Sequence, residues 1–259
     1  MRASVVIAAF DAESTLGEQL EALSSQRVEG RWEVLVCDNG SRDGTVEVAR
    51  SFAGRLPVRV IDASARRGPA AARNIGAQHA EGEALLFCDA DDIVADGWVT
   101  AMLAALVHHD IVAGPWELSR LNAMYGPGAT TPATFAVAPL IGLRAAGGGN
   151  LGVAAAVFAA LDGFEEALRI GEDIDLCWRA QRAGSVLGEA PDAVVHVRRP
   201  ASVHGLFRQA YAYGRGERQL TYRYLAAVLP PAADPLSNPR GAPGAPVTRR
   251  PLVQRIRQM

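Results

Sequence analysis

Residues Leu85 to Asp92 read LLFCDADD: four apolar side chains followed at once by Asp89, Asp91 and Asp92. A short, continuous apolar run that stops at a polar cluster predicts a fully buried strand whose end opens onto solvent. Three carboxylates crowded there repel one another unless something positive lies among them. Mg²⁺ or Mn²⁺ would supply that charge, because both prefer oxygen ligands and bridge carboxylates to a substrate diphosphate. The competing reading is an acidic turn that caps the next helix.

The same alternation extends on both sides. Ser4–Ala9, Glu33–Cys37, Val58–Ile61 and Ala84–Cys88 are predicted strands; Thr15–Ser25, Thr45–Phe52, Pro69–His79 and Gly97–His108 are predicted helices. Strands alternating with helices imply an α/β fold, a mainly parallel Rossmann-like sheet with helices on both faces. Ligands of such sheets bind beyond the carboxyl ends of the strands. Asp11 and Glu13 follow the first strand, and Asp38, Asn39 and Ser41 the second, so the carboxylates are expected to converge with the acids after Cys88.

Beyond His109 the pattern changes. Ile111–Trp116 is a further predicted strand, Leu118–Gly147 a long loop, and Gly171–Gly184 a helix with acids at its start and Gly184 as its stop. Leu206–Leu225 predicts an amphipathic C-terminal helix rich in Arg and Tyr, peripheral to the chemistry. The Pro/Ala/Gly-rich remainder predicts little order and should be removable. The expected division is residues 1–200 as one domain (1–116 a donor half, 117–200 an acceptor and base half), 201–228 as the helix and 229–259 as a flexible tail.

The chain has 259 residues, 49% of them hydrophobic, enough for one sizeable core. A formal net charge of -2 gives no reason to expect nucleic acid as a partner. All the basic residues are arginine, which reads as coding bias. Cys37, Cys88 and Cys177 lack disulfide or zinc spacing and read as buried thiols, so the expected compartment is the cytosol. The first residues lack the apolar run of a signal peptide, and Ala136–Leu161 is interrupted by Arg144, Gly147–Gly149 and Asn150, which excludes it as a spanning helix.

Three further stretches carry candidate chemistry. In WEVLVCDNGSRDGT, Trp32–Thr45, Asp38 stands at a strand end where it can accept hydrogen bonds from a base or ribose; ordinary turn formation is the alternative. In RRGPAAARNIGAQHAEGE, Arg66–Glu83, Arg73 lies one turn into a helix opened by Pro69, placed for a phosphate or merely on the surface. In GEDIDLCWRAQRAG, Gly171–Gly184, Glu172 and Asp173 open a helix, where acids also serve the macrodipole. No G-x-G-x-x-G follows the first strand, which argues against a dehydrogenase. AAFDAEST is not the Gly-rich phosphate loop expected of a sugar nucleotidyltransferase.

The ordered set VVIAAFDAESTL, EVLVCDNGSRDGT, GPAAARNIGAQHAEGEALLFCDADD and GEDIDLCWRAQRAG resembles glycosyltransferase family 2 over roughly residues 3–200. The resemblance implies the GT-A fold and an inverting enzyme. It would move a sugar from a nucleotide-diphosphate donor, UDP- or dTDP-linked, to an acceptor hydroxyl on a saccharide, lipid-linked glycan or small molecule. Carried over, it implies that Ala9, Phe10, Glu13, Asp38, Arg73, Asp89 and Ala90 bind donor. Asp91 would ligate Mg²⁺ or Mn²⁺, and Asp173, with Glu172 as rival, would be the general base. His196, in PDAVVHVRRP, matches a region where some members place a histidine ligand. Ala9-Phe10-Asp11 departs from the Pro-Tyr-Asn that the family often has, which weakens base stacking by Phe10. The helix N-terminus is expected to depress the pKa of Asp173. The C-terminal helix is expected to pack on its own domain, with a second subunit or the inner face of a membrane as alternatives. A non-catalytic nucleotide-sugar-binding protein is the other reading.

Overall fold

The computed structural model describes residues 2–137 and 142–228; the expected tail, 229–259, lies outside the described residues. In chain order the elements are β1 (Ala3–Ala9), α1 (Leu16–Ser24), β2 (Trp32–Asp38), α2 (Thr45–Ser51), β3 (Val58–Asp62), α3 (Pro69–His79), β4 (Ala84–Asp89), β5 (Ile93–Val94), α4 (Trp98–Leu106), β6 (Ile111–Ala113), β7 (Trp116–Glu117), β8 (Thr130–Thr131), β9 (Phe135–Ala136), β10 (Arg144–Ala145), β11 (Asn150–Ala154), α5 (Ala155–Ala160), α6 (Glu172–Arg182), β12 (Leu187–Glu189), β13 (Val195–His196) and α7 (Val203–Val228).

Seven strands form the main sheet in the order β12-β6-β11-β4-β1-β2-β3. β1 pairs in parallel with β2 and β4, β2 with β3, and β6 with β12; β11 alone runs antiparallel, between β4 and β6. Side chains alternate across this sheet. Val5 and Ile7 face a layer formed by Leu16 and Leu20 of α1, Phe52 at the end of α2, and Trp98 and Met102 of α4. Val6, Leu35 and Phe87 face Ile75, Phe158 and Leu176 from α3, α5 and α6. Both faces are therefore covered, as the apolar runs of β1, β2 and β4 predict.

Gly76 sets the height of α3 on the sheet. A Cβ there would collide with Cys37 Sγ and Val6 Cγ1, so only glycine lets the helix lie this close. That contact brings Arg73, one turn earlier, to the ends of β1 and β4.

The predicted Ile111–Trp116 strand is two strands. β6 lies in the main sheet, and β7 lies in a second sheet of order β5-β13-β7-β8. The break falls at Gly114-Pro115, where a Cβ on residue 114 would overlap the Ala193 carbonyl oxygen and proline has no N–H for a ladder. The predicted 118–147 loop contains only the two-residue strands β8, β9 and β10 among its described residues. Its residues 138–141 lie outside the described residues.

α7 starts at Val203, earlier than predicted, and packs on its own domain. Leu220 and Tyr224 are buried with Trp178, Ile174, Leu168 and Ala145. Tyr224 donates a 2.8 Å hydrogen bond to Asp175 Oδ1, and Arg223 pairs with Glu165 at 2.7 Å. Leu220 is only 1% exposed. Leu220→Ala should therefore cost about 2–5 kcal/mol. Denaturant unfolding would measure it; a loss under about 1 kcal/mol would show that α7 is not anchored there.

Candidate active site

The strand ends behave as the β4 run predicts. Asp89, Asp91 and Asp92 each offer a carboxylate oxygen, and these oxygens lie within 4.8 Å of one another. Asp92 is buried and accepts a 2.7 Å bond from the Arg198 amide; Arg198 Nε donates to the Asp91 carbonyl at 2.9 Å and its Nη2 reaches Glu18. Burial, then Asp89 and Asp91, push the Asp92 carboxyl up to about 8; desolvation, then Asp89, push Asp91 upward too. Three hard oxygen donors at one point fit a divalent cation.

Arg73 ties this cluster to the start of α6. Its Nη2 donates to Asp89 Oδ1 at 2.6 Å and its Nη1 to Glu172 Oε1 at 2.8 Å. The guanidinium is buried, and its Nε has no partner among the described residues. Burial works against its charge, but Asp89 and Glu172 outweigh that and hold the pKa above the ordinary value. Glu172 is buried; burial and the adjacent Asp173 push its carboxyl up, and Arg73 opposes them.

Asp173 is half-buried. Its Oδ2 accepts from the Gly148 amide and its Oδ1 from the Ile174 amide, both at 2.8 Å. The two amides lower its pKa, but burial outweighs them and the net shift is upward. The expected depression by the helix N-terminus is thus corrected: the α6 amides do lower the pKa, but the cost of desolvating the carboxylate is larger. The Gly147–Gly149 run threads between these groups. A Cβ on Gly149 would meet Asp89 Oδ2, and one on Gly148 would press on Arg73 and Asp173 at 3.3 Å.

A cleft of about 610 Å³ gathers Arg73, Asp89, Asp91, Asp92, Glu172 and Asp173. Its walls also hold residues that sequence reading did not single out: Trp116, Arg169, Arg198 and Arg199, and Gln209, Tyr213 and Glu217 from α7. The expectation that the C-terminal helix is peripheral is corrected, since α7 supplies one wall. No local signal carries this: Gln209, Tyr213 and Glu217 become a cleft face only because α7 folds back over Gly171.

The other expected donor residues lie outside the cleft lining. Ala9 and Asp38 are register partners at the ends of β1 and β2, and Asp38 accepts from the Ser41 amide at 3.1 Å. Glu13 Oε2 accepts from the Gly44 amide at 3.0 Å, which stitches the first loop to the second. Phe10 is 49% exposed beneath the Arg67 guanidinium, and Ala90 is buried. His196 is outside both the aspartate cluster and the cleft lining. Its Nδ1 lies 2.8 Å from Glu117 Oε2, across the β13–β7 pair. Burial works against the Glu117 charge, but bonds from Ser119, His196 and Arg120 hold its carboxyl at about 2. The Glu117 bond engages Nδ1 alone and leaves Nε2 free, the ring nitrogen through which a histidine with such a carboxylate partner can still ligate.

A profile of Glycosyl transferase family 2 matches residues 4–131. Glycosyltransferase AglE of Haloferax volcanii is 30% identical over 226 residues, covering 84% of this chain and 73% of that protein. The chain belongs to glycosyl transferase family 2. This family 2 chain spans 27%, 73% and 39% of the lengths of three curated relatives. Among solved structures it is similar to the Pyrobaculum calidifontis mannosyltransferase PcManGT in complex with GDP-Man and Mn²⁺. The TM-score is 0.69 and the identity 20%, over 86% of this chain and 64% of that one. Staphylococcus aureus TarS 1-349 in complex with UDP-GlcNAc gives 0.63 and 21%, over 80% and 61%. At such identities the likeness shows the fold, GT-A.

Proposed function

We propose that the protein is an inverting glycosyltransferase that moves a sugar from a nucleotide-diphosphate donor to an acceptor hydroxyl. The observation that carries this reading is that Asp173 and the Asp89, Asp91, Asp92 cluster share one cleft, with Arg73 bridging their two elements.

Asp91, with Asp89 and Asp92, would hold Mg²⁺ or Mn²⁺, which when bound supplies Lewis-acid charge for the leaving diphosphate. Arg73, on the cleft lining, would set its positive charge beside the diphosphate. Asp38 and Ala9, at the neighbouring strand ends, would receive the nucleoside side, with Phe10 and Glu13 in the loop above. Asp173 is the base. Each of its oxygens accepts one backbone amide, which aims the carboxylate and leaves lone pairs for the acceptor O–H. The oxygen it activates attacks the anomeric carbon from the side opposite the leaving group, so the configuration inverts. Glu172 is a positioning residue, because its carboxylate is engaged by Arg73 and buried. Tyr213 and Gln209 would contact the acceptor from α7.

The relatives in complex with UDP-GlcNAc and GDP-Man make uracil and guanine nucleotides the first donors to test, beside dTDP-sugars. A panel of nucleotide sugars should show cation-dependent nucleotide release with at least one member, and NMR of the product should show the anomer opposite to the donor's. Binding of a donor with neither hydrolysis nor transfer, whatever acceptor is offered, would support the non-catalytic alternative. A retained anomer would overturn the base assignment.

A further inference from the structure

We propose that the outward face of α7 docks on an anionic lipid surface. Val203, Phe207, Tyr211 and Tyr222 are 84%, 69%, 63% and 64% exposed. At 100° per residue they share one side of the helix with His204, Arg208, Arg215 and Arg218. These three arginines are exposed and have no acidic partner among the described residues, and Arg218 lies against the Tyr222 ring. The one acid of the helix, Glu217, faces the cleft instead. The outward face is therefore aromatic and positive with no negative charge.

Charge decides what occupies it. Nine of the 26 arginines but only two of the 28 acids fall in residues 201–259, so a chain of net charge -2 concentrates its positive charge at this end. The tail cannot neutralise the face, since residues 229–259 carry five arginines and a single acid, Asp234. A second copy would set arginine against arginine if it presented the same face. Aromatic side chains interleaved with arginine suit a lipid interface, where rings enter the headgroup boundary and guanidinium groups meet phosphates. No described helix is long and apolar enough to cross a membrane, so the contact would lie along the surface. The opposite side of the same helix carries Gln209 and Tyr213 into the cleft, so docking would set one cleft wall beside the lipid.

Flotation of the 259-residue chain with phosphatidylcholine vesicles, with and without phosphatidylglycerol, tests this. Binding is expected only with phosphatidylglycerol, weakening as salt rises. Arg208→Glu with Arg215→Glu should lower the partition coefficient at least about tenfold, since each surface arginine contributes roughly fivefold. Phe207→Ala with Tyr211→Ala should lower it at unchanged charge. Circular dichroism and native light scattering accompany each variant. Absence of binding, equal binding to neutral vesicles, or binding that both variants leave intact would overturn the proposal, the last placing the contact in the tail. A dimer that the Phe207 and Tyr211 variant dissociates would assign the face to a second copy, and tighter salt-sensitive retention on duplex DNA to nucleic acid. None of these readouts uses transfer activity, so the result stands apart from the proposed reaction.

Discussion

Asp91→Ala should lower transfer by on the order of a thousandfold, and excess chelator should do the same to the unsubstituted protein. Lewis-acid charge on a leaving diphosphate is worth several kcal/mol, and about 4 kcal/mol corresponds to that factor. Arg73 is already divided between Asp89 and Glu172, and the nearby Arg198 and Arg199 charges do not outweigh the crowding of Asp91 and Asp92. The control lies in stability. Without cation, Asp91 crowds two like charges, so its removal should leave the melting temperature unchanged or raise it. The upward shift in melting temperature that Mn²⁺ gives the unsubstituted chain should disappear. His196→Ala is the companion variant: His196 lies outside the aspartate cluster, so the cation-induced shift is expected to survive its loss. Full activity in excess chelator would refute the cation's role. A lost shift in the histidine variant, with the fold intact, would return His196 to the ligand set.

Asp173→Asn should lower kcat at least a hundredfold while donor affinity stays within about threefold, the signature of a lost general base. The amide keeps the shape and can still accept from the Gly148 and Ile174 amides, but it takes no proton from the acceptor. The pH profile carries a second signature. Burial raises the Asp173 pKa, so the working carboxylate is lost as pH falls through a value above the ordinary aspartate range. The acid limb of kcat should lie there and should be absent from the residual activity of Asp173→Asn. Glu172→Gln should act differently. It strips Arg73 of a buried partner, so stability falls more than the chemical step. If Glu172→Gln costs more turnover than Asp173→Asn at equal stability, the two roles are exchanged.

The cleft was legible in proportion to how local its signals are. LLFCDADD, the Arg66–Glu83 stretch and GEDIDLCWRAQRAG each place a functional side chain by strand or helix geometry within a dozen residues. Arg73, Asp89, Asp91, Glu172 and Asp173 were accordingly found together in the cleft. The groups that escaped depend on distant chain. Trp116 enters through the break at Gly114-Pro115, set by the Ala193 carbonyl. Arg198 meets Asp91 and Asp92 across more than a hundred residues. β11 pairs antiparallel with β4, Asn150 opposite Cys88, a direction and register that no hydrophobic period announces. His196 shows the converse: its residue type suggests a ligand, and the fold leaves it outside the aspartate cluster with its Nδ1 on Glu117.

Read alone, the chain specifies an α/β sheet whose strand ends carry acids, the helices that follow each strand, and a family likeness resting on four ordered motifs. These are matters of side-chain period and short-range spacing, which backbone geometry converts directly into strands and helices. The tertiary structure decides what each acid does. Asp173 and Glu172 are neighbours with the same charge at the same helix start. Both reach the cleft, but only the fold pairs Glu172 with Arg73 and holds Asp173 on backbone amides, because hydrogen-bond partners set by distant chain separate two carboxylates that local spacing leaves equivalent.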